Sequence, residues 1–180
     1  MWVAMVAALQ SHAMIACVLQ TPRLVLREMT LDDAPFILEA LNQPSFIEQI
    51  GDRGVRDLDG ARTYLQERVL AHYARHGFGL WLMALQGTGE AVGMCGLIKR
   101  DSLDDADIGY ALLERHWGQG YAREAAEAVL RHALQVLKLP RVVAITAPDN
   151  ERSMGLLRSI GLRFVDRRPL PEGESAYFTT

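Results

Sequence analysis

Two rhythms of apolar and polar positions run along this chain. From Thr21 onward, short apolar runs of strand length trade places with stretches whose apolar residues recur every three or four positions, the pattern of an α/β or α+β sheet domain. Leu24-Val25-Leu26 predicts a strand, and Thr30-Leu31-Asp32-Asp33 a capped helix start leading into Ala34, Ile37, Ala40 and Leu41. Residues 42–60, carrying Asn42-Gln43-Pro44 and Gly51, Gly54 and Gly60, predict a long polar connection of the kind that is functional or mobile in compact domains. A second helix is predicted over 61–75, stopped by Gly77. Strands are predicted over 78–86 and 91–99, joined by the tight turn Gly87-Thr88-Gly89, and a third over 107–113 after an acidic turn. A helix then opens near Tyr121, with Ala122, Ala126, Val129, Ala133 and Leu137 on one stripe. The strand over 141–146 leads through Pro148-Asp149-Asn150 to a short helix closed by Gly161, and Leu162-Arg163-Phe164-Val165 begins another strand.

Residues 1–20 break this pattern: they are apolar and uncharged, and the first positive residue is Arg23. Gln10, Ser11 and His12 interrupt them, so they read neither as a membrane span nor as a secretory signal with a basic start. They are expected to be an extension ahead of a single domain over 21–180, in a cytoplasmic protein.

The 180 residues carry 19 Lys and Arg against 22 Asp and Glu, a net charge of 19 − 22 = −3, with 49% apolar and 23% charged residues. A chain of this size buries roughly 70% of its unfolded surface, enough for one core without staples. Cys17 and Cys95 build neither a disulfide framework nor a zinc cluster. The four Asp between 101 and 107 lack calcium-loop spacing, so no metal is expected. Mild acidity, with no run of five basic residues, argues against nucleic acid as a partner. An anion would have to be held locally.

The place for one is Gly118-Gln119-Gly120, between a strand end and a helix start. Free backbone N–H groups and the positive end of the helix dipole converge there, and side-chain-free positions let an anion approach. Rossmann spacing is not met, because Ala122 sits one residue too early, and the Gly-Lys-Ser/Thr of a P-loop is absent.

A wider set of residues is more specific. Arg23-Leu24-Val25-Leu26-Arg27, Ile108-Gly109-Tyr110, Trp117-Gly118-Gln119-Gly120-Tyr121-Ala122-Arg123-Glu124-Ala125, and Asn150-x-x-Ser153 followed by Ile160-Gly161-Leu162 occur in this order. With them the chain, over about residues 21–178, resembles the GNAT superfamily of acyl-CoA-dependent N-acetyltransferases, in the branch containing the ribosomal-protein alanine N-acetyltransferases.

The resemblance implies a mixed, mostly antiparallel twisted sheet flanked by helices, with acetyl-CoA as cosubstrate in a cleft where two neighbouring strands splay apart. The pyrophosphate loop then falls on Trp117, Gly118, Gln119, Gly120, Tyr121 and Ala122. Arg123 and Arg152, near helix starts, are placed to reach CoA phosphates, and a solvated surface role suits them equally. The pantetheine pairs like an added strand with backbone around Leu112 and Leu113. Asn150 and Ser153 lie near the pantetheine and the sulfur, while also suiting plain helix capping. Many relatives place a tyrosine acid where this chain has Leu157, which moves the expected acid to Ser153. The 42–60 connection, with Phe46, Ile47, Arg53 and Arg56, borders the acceptor.

In such a site an amine attacks the thioester, a backbone N–H near Leu112 or Leu113 holds the oxyanion, and one such donor is worth about 3 kcal/mol. At pH 7 an α-amine of pKa about 8 loses its proton for about 1.4 kcal/mol, against about 4.6 kcal/mol for lysine. Asp107 and Glu114 are the carboxylates that could act as base, through water, although a surface role suits each as well. The preferred acceptor is therefore an α-amine of a peptide or small molecule, handled by a monomer or homodimer without nucleic acid or membrane. Cys95 reads as a buried inert thiol and His116 as an exposed loop histidine. The rival functions are a non-catalytic acyl-CoA-binding sensor and a nucleotide-binding α/β protein using the same Gly-x-Gly turn.

Overall fold

The computed structural model describes residues 17–171 and 173–180. In chain order its elements are β1 (Cys17–Gln20), β2 (Leu24–Arg27), α1 (Ala34–Leu41), α2 (Pro44–Gln49), α3 (Leu58–Tyr64), α4 (Ala71–His76), β3 (Leu80–Leu85), β4 (Ala91–Ile98), β5 (Ala106–Leu112), α5 (Tyr121–Gln135), β6 (Val142–Thr146), α6 (Glu151–Ser159), β7 (Arg163–Leu170) and β8 (Gly173–Thr179). The strands form one sheet in the order β1-β2-β3-β4-β5-β6-β8-β7. Every neighbouring pair is antiparallel except β5 with β6. This is the mixed, mostly antiparallel sheet expected.

Three local expectations change. Cys17–Gln20, read as the end of an extension, is an edge strand paired with β2, Gln20 opposite Val25. Four residues ahead of Thr21-Pro22 are too few to show a period. The rest of that expectation, residues 1–16, lies outside the described residues. The 42–60 connection is not all loop. Pro44 starts α2, and the Asp57 carboxylate accepts from Gly60 N at 2.7 Å to begin α3 three residues before the predicted start. Asn42 Nδ2 donates to the Leu38 and Val55 carbonyls at 2.7 and 2.9 Å, so this stretch is tied to the core where Val55 is buried. Between α3 and α4 the helix widens into a π turn over Leu65–Leu70. The strand begun at 162–165 runs on as a hairpin with β8, which sequence patterning did not assign.

Leu24, Leu26, Trp81, Leu82, Met83 and Phe178 are fully buried in the core, each such side chain contributing about 1.5–3 kcal/mol. Helix α5 turns Ala125, Ala126, Val129 and Ala133 inward against β4 and β5, its small residues allowing close approach. Within the sheet Gly93 is required: a Cβ there would lie 2.5 Å from the Ala111 carbonyl oxygen.

What matters most for chemistry is how β5 and β6 pair. They join only at Ala106 with Val142 and at Asp107 with Val143. Beyond that the two strands part, while β4 follows β5 as far as Gly93 opposite Leu112.

Candidate active site

The fork exposes one edge of β5, and register says which groups lie on it. Leu113 N donates to the Val92 carbonyl at 2.9 Å, which makes Leu112–Gly93 and Tyr110–Cys95 the non-hydrogen-bonded pairs of this antiparallel ladder. The backbone N–H and C=O of Tyr110 and Leu112 therefore point away from β4, toward the side from which β6 has diverged. Leu112, expected to pair with a ligand, presents its N–H on this open edge. Leu113, expected beside it, is corrected: its N–H is spent on Val92, its carbonyl accepts from His116 N at 2.9 Å, and its side chain is buried.

At the end of this edge the chain turns into the Gly118–Gly120 loop. Both glycines have positive φ, +75° and +81°, and no atom lies within 4 Å of where a Gly118 Cβ would stand. Gly120 is the N-cap of α5 and offers no side chain to its first turn. The helix ladder starts with Glu124 N on the Gly120 carbonyl at 3.1 Å, so the N–H groups of Tyr121, Ala122 and Arg123 have no acceptor within the helix. The loop is braced from behind. Arg23 donates Nη1 to the Gln119 carbonyl at 2.8 Å and Nε to Glu124 at 2.6 Å, and its guanidinium lies 4.6 Å from the centre of the Tyr121 ring. Burial pushes the Glu124 carboxyl up, but hydrogen bonds from Thr21 and Arg23 outweigh it and hold the group below its ordinary value. Amides without intrahelical acceptors at a helix start, with Glu124 beside them ion-paired to Arg23, suit a diphosphate.

Across the fork stands the start of α6. Asn150 Oδ1 accepts from Ser153 N at 3.0 Å, the helix-capping bond that suits both residues. The Ser153 hydroxyl lies 2.9 Å from that of Tyr110, a residue to which sequence reasoning gave no role. Its signal was present only as the last residue of Ile108-Gly109-Tyr110. Burial pushes the Tyr110 hydroxyl up to about 12. Leu157, one turn further on, is a core residue at 1% exposure. Trp117, 41% exposed, donates Nε1 to the Leu112 carbonyl at 3.1 Å. The Arg152 guanidinium of α6 lies 4.5 Å from the centre of the Trp117 indole, spanning the mouth between loop and helix.

The remaining candidates divide. Asp107 is corrected: expected as a base, it is 1% exposed and sits at the closed end of the fork with both oxygens committed, Oδ2 to Arg100 Nε at 2.7 Å and Oδ1 to Ile145 N at 3.3 Å. Glu114 Oε1 accepts from Ser45 N at 3.2 Å, and bonds from Ser45 hold its carboxyl low, so it is a weaker base than an ordinary glutamate. Arg123 is paired with Glu127 at 3.0 Å on the surface of α5. His116 is buried rather than exposed, its Nε2 3.1 Å from Glu90 Oε1 but off line for a hydrogen bond. Cys95 is fully buried, and burial pushes its thiol up, as an inert core thiol requires.

Residues 23–163 match the family described as acetyltransferase (GNAT) domain. Among curated proteins, an uncharacterized N-acetyltransferase, p20, of Bacillus licheniformis is 30% identical over 147 residues, 81% of this chain and 82% of that one. Among solved structures, an acetyltransferase of Agrobacterium tumefaciens superposes with a TM-score of 0.77 at 28% identity, covering 90% of this chain and 92% of that one. The ribosomal L7/L12 alpha-N-protein acetyltransferase RimL, in complex with coenzyme A, shares the fold with a TM-score of 0.79 at 19% identity, covering 92% and 97%.

Proposed function

The chain belongs to the GNAT acetyltransferase family and is an N-acetyltransferase, and we propose that it moves the acetyl group of acetyl-CoA to a weakly basic primary amine, preferably an α-amine such as a peptide N-terminus, in the cytoplasm. The observation that carries this reading is the continuity of two amide sets. The N–H groups opening α5 take the diphosphate, and the outward N–H of Leu112, on the adjoining strand edge, takes the pantetheine or the thioester oxygen.

Ser153 donates a hydrogen bond to the leaving sulfur. A thiol of pKa about 8.5 leaves readily near neutrality, so this assists the step without being indispensable. Neither Asp107 nor Glu114 is a strong base in its surroundings, which favours acceptors already partly neutral at pH 7. The description of RimL as a ribosomal L7/L12 alpha-N-protein acetyltransferase, in complex with coenzyme A, supports the same choice.

The test is thiol release from acetyl-CoA over a panel of peptide N-termini, lysine side chains and polyamines at neutral pH. Peptide N-termini should turn over fastest, and Ser153→Ala should slow turnover while sparing CoA binding. Faster acetylation of lysine or polyamines would remove the α-amine preference.

A further inference from the structure

We infer that Tyr110 is a positioning residue for acetyl transfer, its hydroxyl holding that of Ser153 so that the serine proton is aimed into the fork at the leaving sulfur. This rests on the acetyl-transfer reading above and deepens it. Tyr110 stands on the arm of β5 beyond its last pair with β6, and Ser153 opens α6 on the far side, 43 residues away in sequence. Their oxygens are 2.9 Å apart, while the Tyr110 hydroxyl is 3.3 Å from the Ser153 carbonyl.

A phenol has one proton to give. If it goes to the Ser153 carbonyl, the serine proton turns back onto Tyr110. If it goes to the serine hydroxyl, the serine proton is released toward the fork. An electron-rich sulfur arriving there selects the second arrangement, and the Asn150 cap on Ser153 N keeps the backbone still during the exchange.

The phenol acts as a fixed donor and not as the source of the proton. Burial keeps it protonated up to about 12, far above the range in which a thiolate of pKa about 8.5 could remove its proton. The balance closes without it: the amine nitrogen bonds to the carbonyl carbon, the carbon–sulfur bond breaks with its electrons on sulfur, and the proton shed by the attacking nitrogen ends on sulfur.

The experiment compares the full chain with Tyr110→Phe, Ser153→Ala and the double variant, using acetyl-CoA turnover of a peptide amine and calorimetric titration with CoA. Phenylalanine keeps the ring and its packing. Tyr110→Phe should lower kcat about fivefold, the equivalent of one hydrogen bond of about 1 kcal/mol, with the KM for acetyl-CoA and the affinity for CoA within twofold. The double variant should be no slower than Ser153→Ala, since the tyrosine acts only through the serine. An unchanged kcat, losses that multiply in the double variant, or a fall in CoA affinity matching the fall in kcat would overturn the assignment. A wild-type chain that releases no thiol with any amine would instead overturn the acetyl-transfer reading, and this one with it.

Discussion

The two ends of the β5–β6 fork are a few residues apart and hold their polar groups in opposite ways. At the closed end, Asp107 is buried with both carboxylate oxygens engaged, by Arg100 and by the Ile145 N–H. At the open end the groups along the strand edge are neutral: the outward amides of Tyr110 and Leu112, the Trp117 indole on the Leu112 carbonyl, and the Tyr110–Ser153 hydroxyl pair, with the Arg152 guanidinium over the indole at the mouth. Removing one member of a buried charge pair leaves an uncompensated charge, whereas neutral groups exchange partners at little cost. The closed end therefore sets how far the strands diverge, and the open end is free to accept a ligand's groups in place of its own.

The hardest blow to that contrast is at the closed end. Asp107→Ala should lower unfolding stability by about 3 kcal/mol, read by urea denaturation, because it removes the buried carboxylate that Arg100 and the Ile145 N–H engage. If Asp107→Asn instead keeps stability and removes the low-pH limb of the rate profile, Asp107 is a base after all. At the open end, Gly120→Glu should weaken CoA binding by at least 100-fold, about 2.7 kcal/mol, by placing a charged side chain on a backbone at φ +81° where the diphosphate belongs. Titration calorimetry decides it, and unchanged affinity would sink the loop assignment.

Alkaline titration sharpens the comparison further. The Tyr110 hydroxyl is raised to about 12 in the folded state from 10 when exposed, so its neutral burial stabilises the fold fully below pH 10. That contribution is lost as pH climbs from 10 to 12, by up to about 3 kcal/mol. The stability gap between wild type and Tyr110→Phe should narrow or invert over this window in denaturation series. The smallest effect belongs to the mouth: Arg152→Ala should cost under about 1 kcal/mol while red-shifting the emission of Trp117 as its indole loses the guanidinium over it.

Much of the fork was legible one residue at a time. Gly118 and Gly120 between a strand and a helix announce an anion cradle because side-chain-free positions and free amides are local properties, and both glycines adopt the left-handed backbone this requires. The Asn150 cap on Ser153 is local too, three residues apart. What could not be read depends on register and distance. Leu112 and Leu113 are adjacent and chemically alike, and only the pairing of Leu113 with Val92 shows that the second faces β4. Asp107 looked available as a base because nothing in its neighbourhood of sequence reveals Arg100 closing on it across the acidic turn.

The chain's own order of residues determined most of its strands and helices and the glycine turn ahead of α5, since these follow from periodicity, capping and backbone freedom within a few positions, while the residues that can serve acetyl transfer came from the resemblance to the GNAT family. The tertiary structure alone decided that β5 and β6 part after two pairs, that Tyr110 meets Ser153 across the gap, and that Asp107 locks the closed end instead of reaching the substrate. Those outcomes rest on contacts made through the fold, most between segments tens of residues apart and one between Arg100 and Asp107 across the acidic turn, whose energies exist only once packing has brought them together.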